Sequence, residues 1–353
     1  MKRGLVGAAL ALAAFIAQAS AAETVKVAWC ARTVTSAAAP FAIANKMGWF
    51  TLPTTKTDPF KVELVPLAGS VDCVKYVGTG EVRYALPSVE PLAALRPQGV
   101  KAKVFYTAYQ GNIYGIAVPD KSPIKELKDL KGKKVGVASM ASGGAIVAKA
   151  IAAQLGDANG VQVIAIGEGA QAAALLRKDQ VDALSLYDTQ YAVIESLGVP
   201  LRRIAAPDFD IFPSNGFIAL DDTLANNRNE AAALAQGYAK GTLFAIANPE
   251  AAVKILWAEF PQTKATGKDE ATAFKDDVAT LNARVPSWGI RKAGVQRWGE
   301  SSLAHYQAYL DFLLKWGQIK QPIKAEEVVT NDLVPLIDTF DPRAIIKIGK
   351  DYK

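Results

Sequence analysis

The chain has 353 residues, half of them hydrophobic, and a formal net charge of +6. This length can bury one large core or two smaller ones. Lysines and arginines are spread along the chain without a dense basic run, so we expect no nucleic-acid partner. One histidine and two cysteines leave almost no side chains for a zinc site or a cysteine–histidine dyad. We therefore expect no metal, no cofactor and no catalytic residues, although carboxylates and tyrosines remain.

Residues 1–22 have the composition of an export signal. Lys2 and Arg3 supply a positive start, residues 5–17 form an apolar run, and residues 19–21 are small, as signal-peptidase cleavage requires. The apolar run is too short to span a membrane. We therefore expect the mature protein to be released into a bacterial periplasm.

The first part of the mature sequence alternates Val-rich and Ile-rich runs with helical patterns. We predict strands at 25–29, 61–67, 82–86 and 103–109, helices at 40–47 and 71–77, and a loop at 87–91. Alternation of this kind is typical of parallel sheets that are covered by helices.

The same order restarts in the middle of the chain. We predict strands at 133–137, 161–166 and 181–186, and helices at 145–155 and 170–177. Residues 62–67 can be laid over 161–166, and residues 81–86 over 180–185, without gaps. We interpret this as two equivalent α/β units, although ordinary βαβ loop lengths could also give one such match.

The last third, from Asp221 onward, is mostly helical in pattern. Asn248 followed by Pro249 predicts a capped helix start. An apolar stripe across residues 293–316 predicts a helical segment that packs in the core.

Open α/β sheets bind ligands beside the carboxyl ends of their strands, and the loops there are rich in Gly, Ser and Ala. Residues 139–144 lead directly into a helix, so their free N–H groups suit an anion; Gly69 and Ser70 repeat this arrangement. Glycine-rich helix starts can also be simple turns. Our candidate ligand-binding residues are Trp29, Arg32, Thr33, Phe41, Gly69, Ser70, Ser88, Glu90, Ser139, Ser142, Gly143, Gly144, Glu168, Tyr187, Asp188 and Asn215.

The candidates differ in the chemistry they offer. Arg32 is the one cation of its loop and could pair with a carboxylate or sulfonate through two hydrogen bonds. Trp29 and Tyr187 could wall an apolar or planar ligand. The carboxylates among them are acceptors that would favour N–H groups. For each charged residue, plain solvation or helix capping is the alternative.

The two cysteines could form a disulfide. Cys30 follows the first predicted strand, and Cys73 opens a helix after the next one. An exported protein meets an oxidising environment, and the two sulfurs could bond if these strands are neighbours. Two buried, unpaired thiols are the alternative.

Four segments resemble one family. The run IKELKDLKGKKVGV at 124–137 looks like the start of the second lobe in solute-binding proteins of the nitrate/sulfonate/taurine and NMT1/THI5-like group of ABC importers. Residues 40–50, 80–82 and 179–183 are similar to that group as well. The resemblance implies a two-lobed α/β fold of the type II periplasmic binding proteins, in which each lobe is a mostly parallel sheet flanked by helices. Lobe 1 would comprise residues 23–117 and 217–353, and lobe 2 residues 118–216.

The resemblance also implies a function. The protein would be the substrate-binding component of an ABC transporter, a monomer that captures a small organic anion and delivers it to the membrane permease in a transient contact. Sulfonates, nitrate, taurine-like molecules and carboxylates fit this expectation, and a pyrimidine precursor is an alternative ligand. Two other functions stay open: an enzyme on the same fold, of the chorismate-processing type, and a sensory protein that presents its ligand to a membrane receptor.

Overall fold

The computed structural model describes residues 23–55, 57–156, 160–206, 209 and 211–353. The predicted export signal, residues 1–22, lies outside this part. The described chain forms two five-stranded sheets with helices packed on them. No helix among the described residues is long and apolar enough to cross a membrane.

The first sheet combines four strands from the first third of the chain with one strand that comes much later, at residues 216–220. It contains β1 (Glu23–Trp29), β2 (Phe60–Pro66), β3 (Tyr84–Ala85), β4 (Ala102–Thr107) and β10 (Gly216–Leu220), in the order β2-β1-β3-β10-β4. Strands β1 to β3 run parallel, and β10 runs antiparallel to β3 and β4. Helices α1 (Ala39–Met47), α2 (Ser70–Gly78) and α3 (Val89–Leu95) connect these strands. We call this sheet and its helices lobe 1.

The second sheet comes from the middle of the chain and forms lobe 2. Its strands are β5 (Ile116–Pro119), β6 (Lys134–Val137), β7 (Gln162–Ala165), β8 (Ala183–Leu184) and β9 (Leu201–Ile204), in the order β7-β6-β8-β5-β9. Helices α4 (Gly143–Gln154), α5 (Gly169–Arg177) and α6 (Asp188–Ser196) connect them.

The two lobes are topological copies of each other. In each sheet three parallel strands are followed by one antiparallel strand, which is the first strand formed after the chain has crossed from the other lobe. Helix α2 and strand β3 of lobe 1 correspond to helix α5 and strand β8 of lobe 2. Both elements have the same length in the two lobes, and the same number of residues separates them. Ser88 bridges to Asn215 just as Tyr187 bridges to Tyr114. The prediction of two equivalent units is confirmed.

The chain crosses between the lobes twice, once between β4 and β5 and once between β9 and β10. Ile116 and Ala117, which the sequence-based division assigns to lobe 1, lie in β5 of lobe 2, and Gly216 lies in β10 of lobe 1. Residues 113–118 are mostly apolar, so the sequence did not show where lobe 1 ends and lobe 2 begins.

The C-terminal third adds helices to lobe 1, as the sequence predicts. They are α7 (Asp221–Asn226), α8 (Arg228–Ala247), α9 (Pro249–Glu259), α10 (Glu270–Arg284), α11 (Leu303–Lys315), α12 (Ala325–Val328), α13 (Val334–Ile337) and α14 (Pro342–Asp351). The Asn248 cap of α9 is confirmed, since its side-chain oxygen accepts from the Ala251 N–H at 3.0 Å.

Two local predictions are wrong. The apolar stripe at 293–316 is not one helical segment, because Gly294 and Gly299 have positive φ angles and α11 begins only after its cap, Ser302. Residues 87–91, expected as a loop, contain the start of α3. Pro91 does not prevent this, since the first N–H groups of a helix have no intrahelical partner.

Candidate functional site

A cavity of about 30 Å³ lies between the lobes. Its walls come from the strand ends of both lobes, from the two crossovers and from the end of α10. Aromatic rings make up much of this surface. The lining residues are Trp29, Cys30, Ala31, Leu86, Tyr109, Ile113, Tyr114, Tyr187, Asn215 and Arg284.

The loop after β1 is fixed by its own contacts. The indole N–H of Trp29 donates to the Thr33 carbonyl at 3.0 Å. Cys30 forms a disulfide with Cys73 of α2, with Cα atoms 5.8 Å apart. Among the two alternatives for the cysteines, the structure therefore selects the disulfide, and this bond ties one wall of the cavity to α2.

The lobes touch directly beside the cavity. The Thr33 N–H donates to the Glu168 carboxylate at 3.0 Å, and the Tyr187 hydroxyl donates to the same carboxylate at 3.1 Å. The Ser139 hydroxyl donates to the Ala68 carbonyl at 2.6 Å. The described arrangement is therefore a closed one, in which the rims of the two lobes exchange hydrogen bonds.

Two of the predicted glycines lie where the lobes approach most closely. A Cβ atom on Gly69 would lie 2.4 Å from the Ala141 carbonyl oxygen, and one on Gly143 would lie 2.6 Å from the Ser88 hydroxyl. Real Cβ atoms do not come so close to other atoms. The missing side chains allow the backbone of lobe 2 to approach Gly69 and the side chain of Ser88 to approach Gly143.

At the helix starts that the sequence predicts as anion sites, several N–H and hydroxyl groups already have hydrogen-bond partners within the protein. The Val71 N–H, in the first turn of α2, donates to the Ala141 carbonyl at 3.0 Å. Ser142 caps α4 by accepting from the Ala145 N–H at 3.3 Å. Gly144 packs against the Ser185 carbonyl within lobe 2, and the Ser70 hydroxyl accepts from the Ser88 N–H at 3.1 Å.

Arg284 is the cation of the cavity wall, and sequence reasoning missed it. Its residue is 2% exposed, its guanidinium lies 4.1 Å above the Tyr109 ring, and one of its nitrogens is 2.6 Å from the Asp188 carboxylate. Burial disfavours its charge, but Asp188 and nearby tyrosine hydroxyls more than compensate and hold its pKa above the ordinary value. The cavity therefore contains one permanent positive charge with one compensating carboxylate.

Other predicted residues lie away from the cavity. Phe41 is fully buried in the core of lobe 1, with its ring centre 4.9 Å from that of Tyr238. Arg32 is exposed to solvent, where its charge is best hydrated. Neither residue lines the cavity.

Glu90 is a buried carboxyl group rather than a strand-end acceptor. Its side chain is 2% exposed, one oxygen accepts from the Tyr309 hydroxyl, and the other oxygen has no partner among the described residues. Burial raises the pKa of Glu90 above its ordinary value of 4.5.

Glu90→Gln is expected to flatten the pH dependence of stability. Because the folded-state pKa is raised, the native protein holds a proton that the unfolded chain releases above pH 4.5, so the free energy of unfolding falls as the pH rises. Glutamine can still accept from Tyr309 and does not titrate. Urea unfolding at pH 5 and pH 8 should show that the variant gains stability relative to wild type at the higher pH. A parallel pH dependence of the two proteins would refute this.

Tyr109 and Tyr114 are further lining residues that the sequence-based list lacks. Both lie in the first crossover, and Tyr114 pairs with Tyr187 as Asn215 pairs with Ser88. Asn215 was a candidate because it precedes the return of the chain to lobe 1. The same reasoning applied to the first crossover would have found Tyr114.

The two matching sheets, the paired crossovers and the cavity between the lobes define the two-lobed fold of periplasmic binding proteins. More than half of the chain, residues 35–252, matches the model of the family described as NMT1/THI5 like, and the chain belongs to that family.

Solved structures of known proteins with this architecture align with nearly the whole chain. The alkanesulfonate-binding protein SsuA from Xanthomonas axonopodis pv. citri, bound to MOPS, superposes with a TM-score of 0.64 at 16% identity, over 88% of this chain and 99% of its own. The periplasmic nitrate-binding protein NrtA from Synechocystis PCC 6803 gives 0.62 at 15% identity, over 94% and 99%. A Brucella abortus (strain 2308) protein, named as a candidate binding protein, is 24% identical over 73% of this chain and 77% of its own.

Proposed function

We propose that this protein is the substrate-binding component of an ABC importer, exported to the periplasm, where it captures a small organic anion. The observation that carries the proposal is the cavity whose walls come from both lobes and both crossovers. A solute there contacts both lobes only when they are closed, so its binding energy shifts the protein toward the closed form. The membrane permease would recognise that closed form.

The charge of the cavity supports an anionic solute. Arg284 carries a positive charge at the wall, and closure around the solute excludes water, which strengthens the attraction between opposite charges. Structural similarity to sulfonate-binding and nitrate-binding proteins agrees with this. We propose that the solute leaves chemically unchanged and that the working protein is a monomer.

The purified protein should bind a solute without converting it. We would screen sulfonates, carboxylates, nitrate and pyrimidine precursors by thermal shift, since a ligand that binds only the native state raises the melting temperature. Any hit would be incubated with the protein and then recovered and analysed by chromatography. Stoichiometric binding with full recovery is the expected result. Sustained formation of a product would instead identify an enzyme.

A further inference from the structure

The lobes approach so closely that the cavity between them measures only about 30 Å³. This is the volume that about one water molecule occupies in the liquid, and an organic solute needs a wider cavity. The lobes therefore hold the described arrangement through their own contacts, and these contacts do not depend on a solute.

The rims of the lobes meet at two equivalent places. Thr33 follows the end of β1 at Trp29 by the same number of positions as Ala141 follows the end of β6 at Val137. Gly69 directly precedes α2, and Glu168 directly precedes α5. The loop of each lobe contacts the helix start of the other, with Ala141 against Gly69 and Thr33 against Glu168. We call these two contacts the seam.

The two contacts of the seam differ in one side chain. Around Gly69 backbone meets backbone, since the Val71 N–H donates to the Ala141 carbonyl at 3.0 Å. At the equivalent position the Glu168 carboxylate accepts from the Thr33 N–H at 3.0 Å. Gly69 shows that a helix start at this place needs no side chain, and within the described helix α5 the Glu168 side chain makes no capping hydrogen bond. The Glu168 carboxylate therefore acts in the seam.

Glu168 is held in position by a wall residue of its own lobe. The Tyr187 hydroxyl donates to one carboxylate oxygen at 3.1 Å, while the other oxygen accepts from Thr33. In lobe 1 the Trp29 indole N–H donates to the Thr33 carbonyl at 3.0 Å, and the Trp29 and Tyr187 rings both line the cavity. Glu168 thus joins the aromatic walls of the two lobes, and hydrogen bonds to a charged acceptor are the stronger kind.

We propose that Glu168 is the latch of the closed form, whose carboxylate holds the lobes together so that the protein populates the closed form before a solute arrives. Glu168 is a positioning residue, because it acts through Thr33 and Tyr187 and is not among the residues that line the cavity. A solute that requires closure binds with an affinity proportional to the closed fraction, so the latch raises that affinity. This inference rests on the proposed function and adds how closure is controlled.

Distances between the lobes, measured by pulsed electron paramagnetic resonance on the protein dialysed free of small molecules, test the latch. Spin labels are attached at Lys75→Cys in α2 and at Lys178→Cys after α5, two exposed positions. The native cysteines form the disulfide and stay unlabelled. We expect two populations, of which the shorter distance is that of the described structure. Gly69→Ala gives the open reference, because its Cβ would clash with lobe 2 on closure.

Variants of the latch identify the group that holds the lobes. Glu168→Ala should reduce the fraction at the shorter distance at least about fivefold, as loss of a hydrogen bond to a charged acceptor implies. Tyr187→Phe should cause a smaller reduction, and adding it to Glu168→Ala should have no further effect, because the hydroxyl acts only through the carboxylate. Glu326→Ala, at an exposed carboxylate of α12, controls for the loss of a negative charge and should leave both populations unchanged.

Two results would overturn the inference. The first is a single, longer distance in the protein with Glu168 intact, and the second is an equal fraction at the shorter distance in Glu168→Ala. Neither result bears on the importer role, because no solute is present in this experiment. That role fails separately, through sustained product formation in the solute screen.

Discussion

Gly69→Ala is expected to weaken solute binding by about 10- to 100-fold while both lobes stay folded. The new Cβ would lie 2.4 Å from the Ala141 carbonyl oxygen, and all its nearest atoms belong to lobe 2. The backbone of Gly69 is extended, with φ 165° and ψ −176°, so alanine fits lobe 1 without strain. The clash arises only when the lobes close, and overpacking of this kind costs about 1–3 kcal/mol.

Calorimetric titration of any confirmed solute against wild type and Gly69→Ala gives the comparison. Gly289→Ala is the matched control: its backbone, with φ −74°, accepts alanine, and its Cβ would meet only the Pro286 oxygen at 3.9 Å. Circular dichroism should show the same secondary structure in all three proteins. Wild-type affinity in Gly69→Ala would show that binding does not require the lobes to come together as described.

Removal of the Cys30–Cys73 disulfide is expected to lower the free energy of unfolding by about 4 kcal/mol. The bond closes a loop with a sequence separation of 43 residues, and in the chain-entropy model a loop of this length stabilises the folded state by roughly that amount. It also joins the loop after β1 to α2. The double variant Cys30→Ser and Cys73→Ser should therefore unfold at lower urea concentration than the oxidised wild type.

The reduced wild type is the control for this change, because it contains both sulfurs without the bond. It should unfold like the double variant. Mass analysis after alkylation without reductant should find no modified thiol in the native protein. Two alkylated cysteines, or equal stability of the oxidised and reduced forms, would contradict the assigned bond.

The sequence predicted the framework of the site better than its chemistry. Strand ends follow from local apolar runs, so Trp29, Tyr187 and Asn215 could be placed near the cavity from position alone, and they line it. The repeat at constant spacing predicted the two lobes for the same reason, because strand and helix lengths are local properties.

Residues that depend on distant packing could not be predicted in this way. Arg284 reaches the cavity because α10 packs against α6 of lobe 2, a contact that no local pattern encodes. Glu90 looked like an exposed acceptor because Pro91 suggested a loop, whereas α3 begins there and carries Glu90 into the interior. Phe41 was also a candidate, but its apolar ring is fully buried and belongs to the core.

The central claim is that two lobes joined by two crossovers close on a solute. Small-angle X-ray scattering of the mature protein, with and without a saturating solute that calorimetry has shown to bind, measures this directly. We predict that the radius of gyration falls when the solute is added, since the open form loses the contacts of Thr33 with Glu168 and of Ser139 with Ala68. A radius of gyration that stays the same at full occupancy would contradict the account.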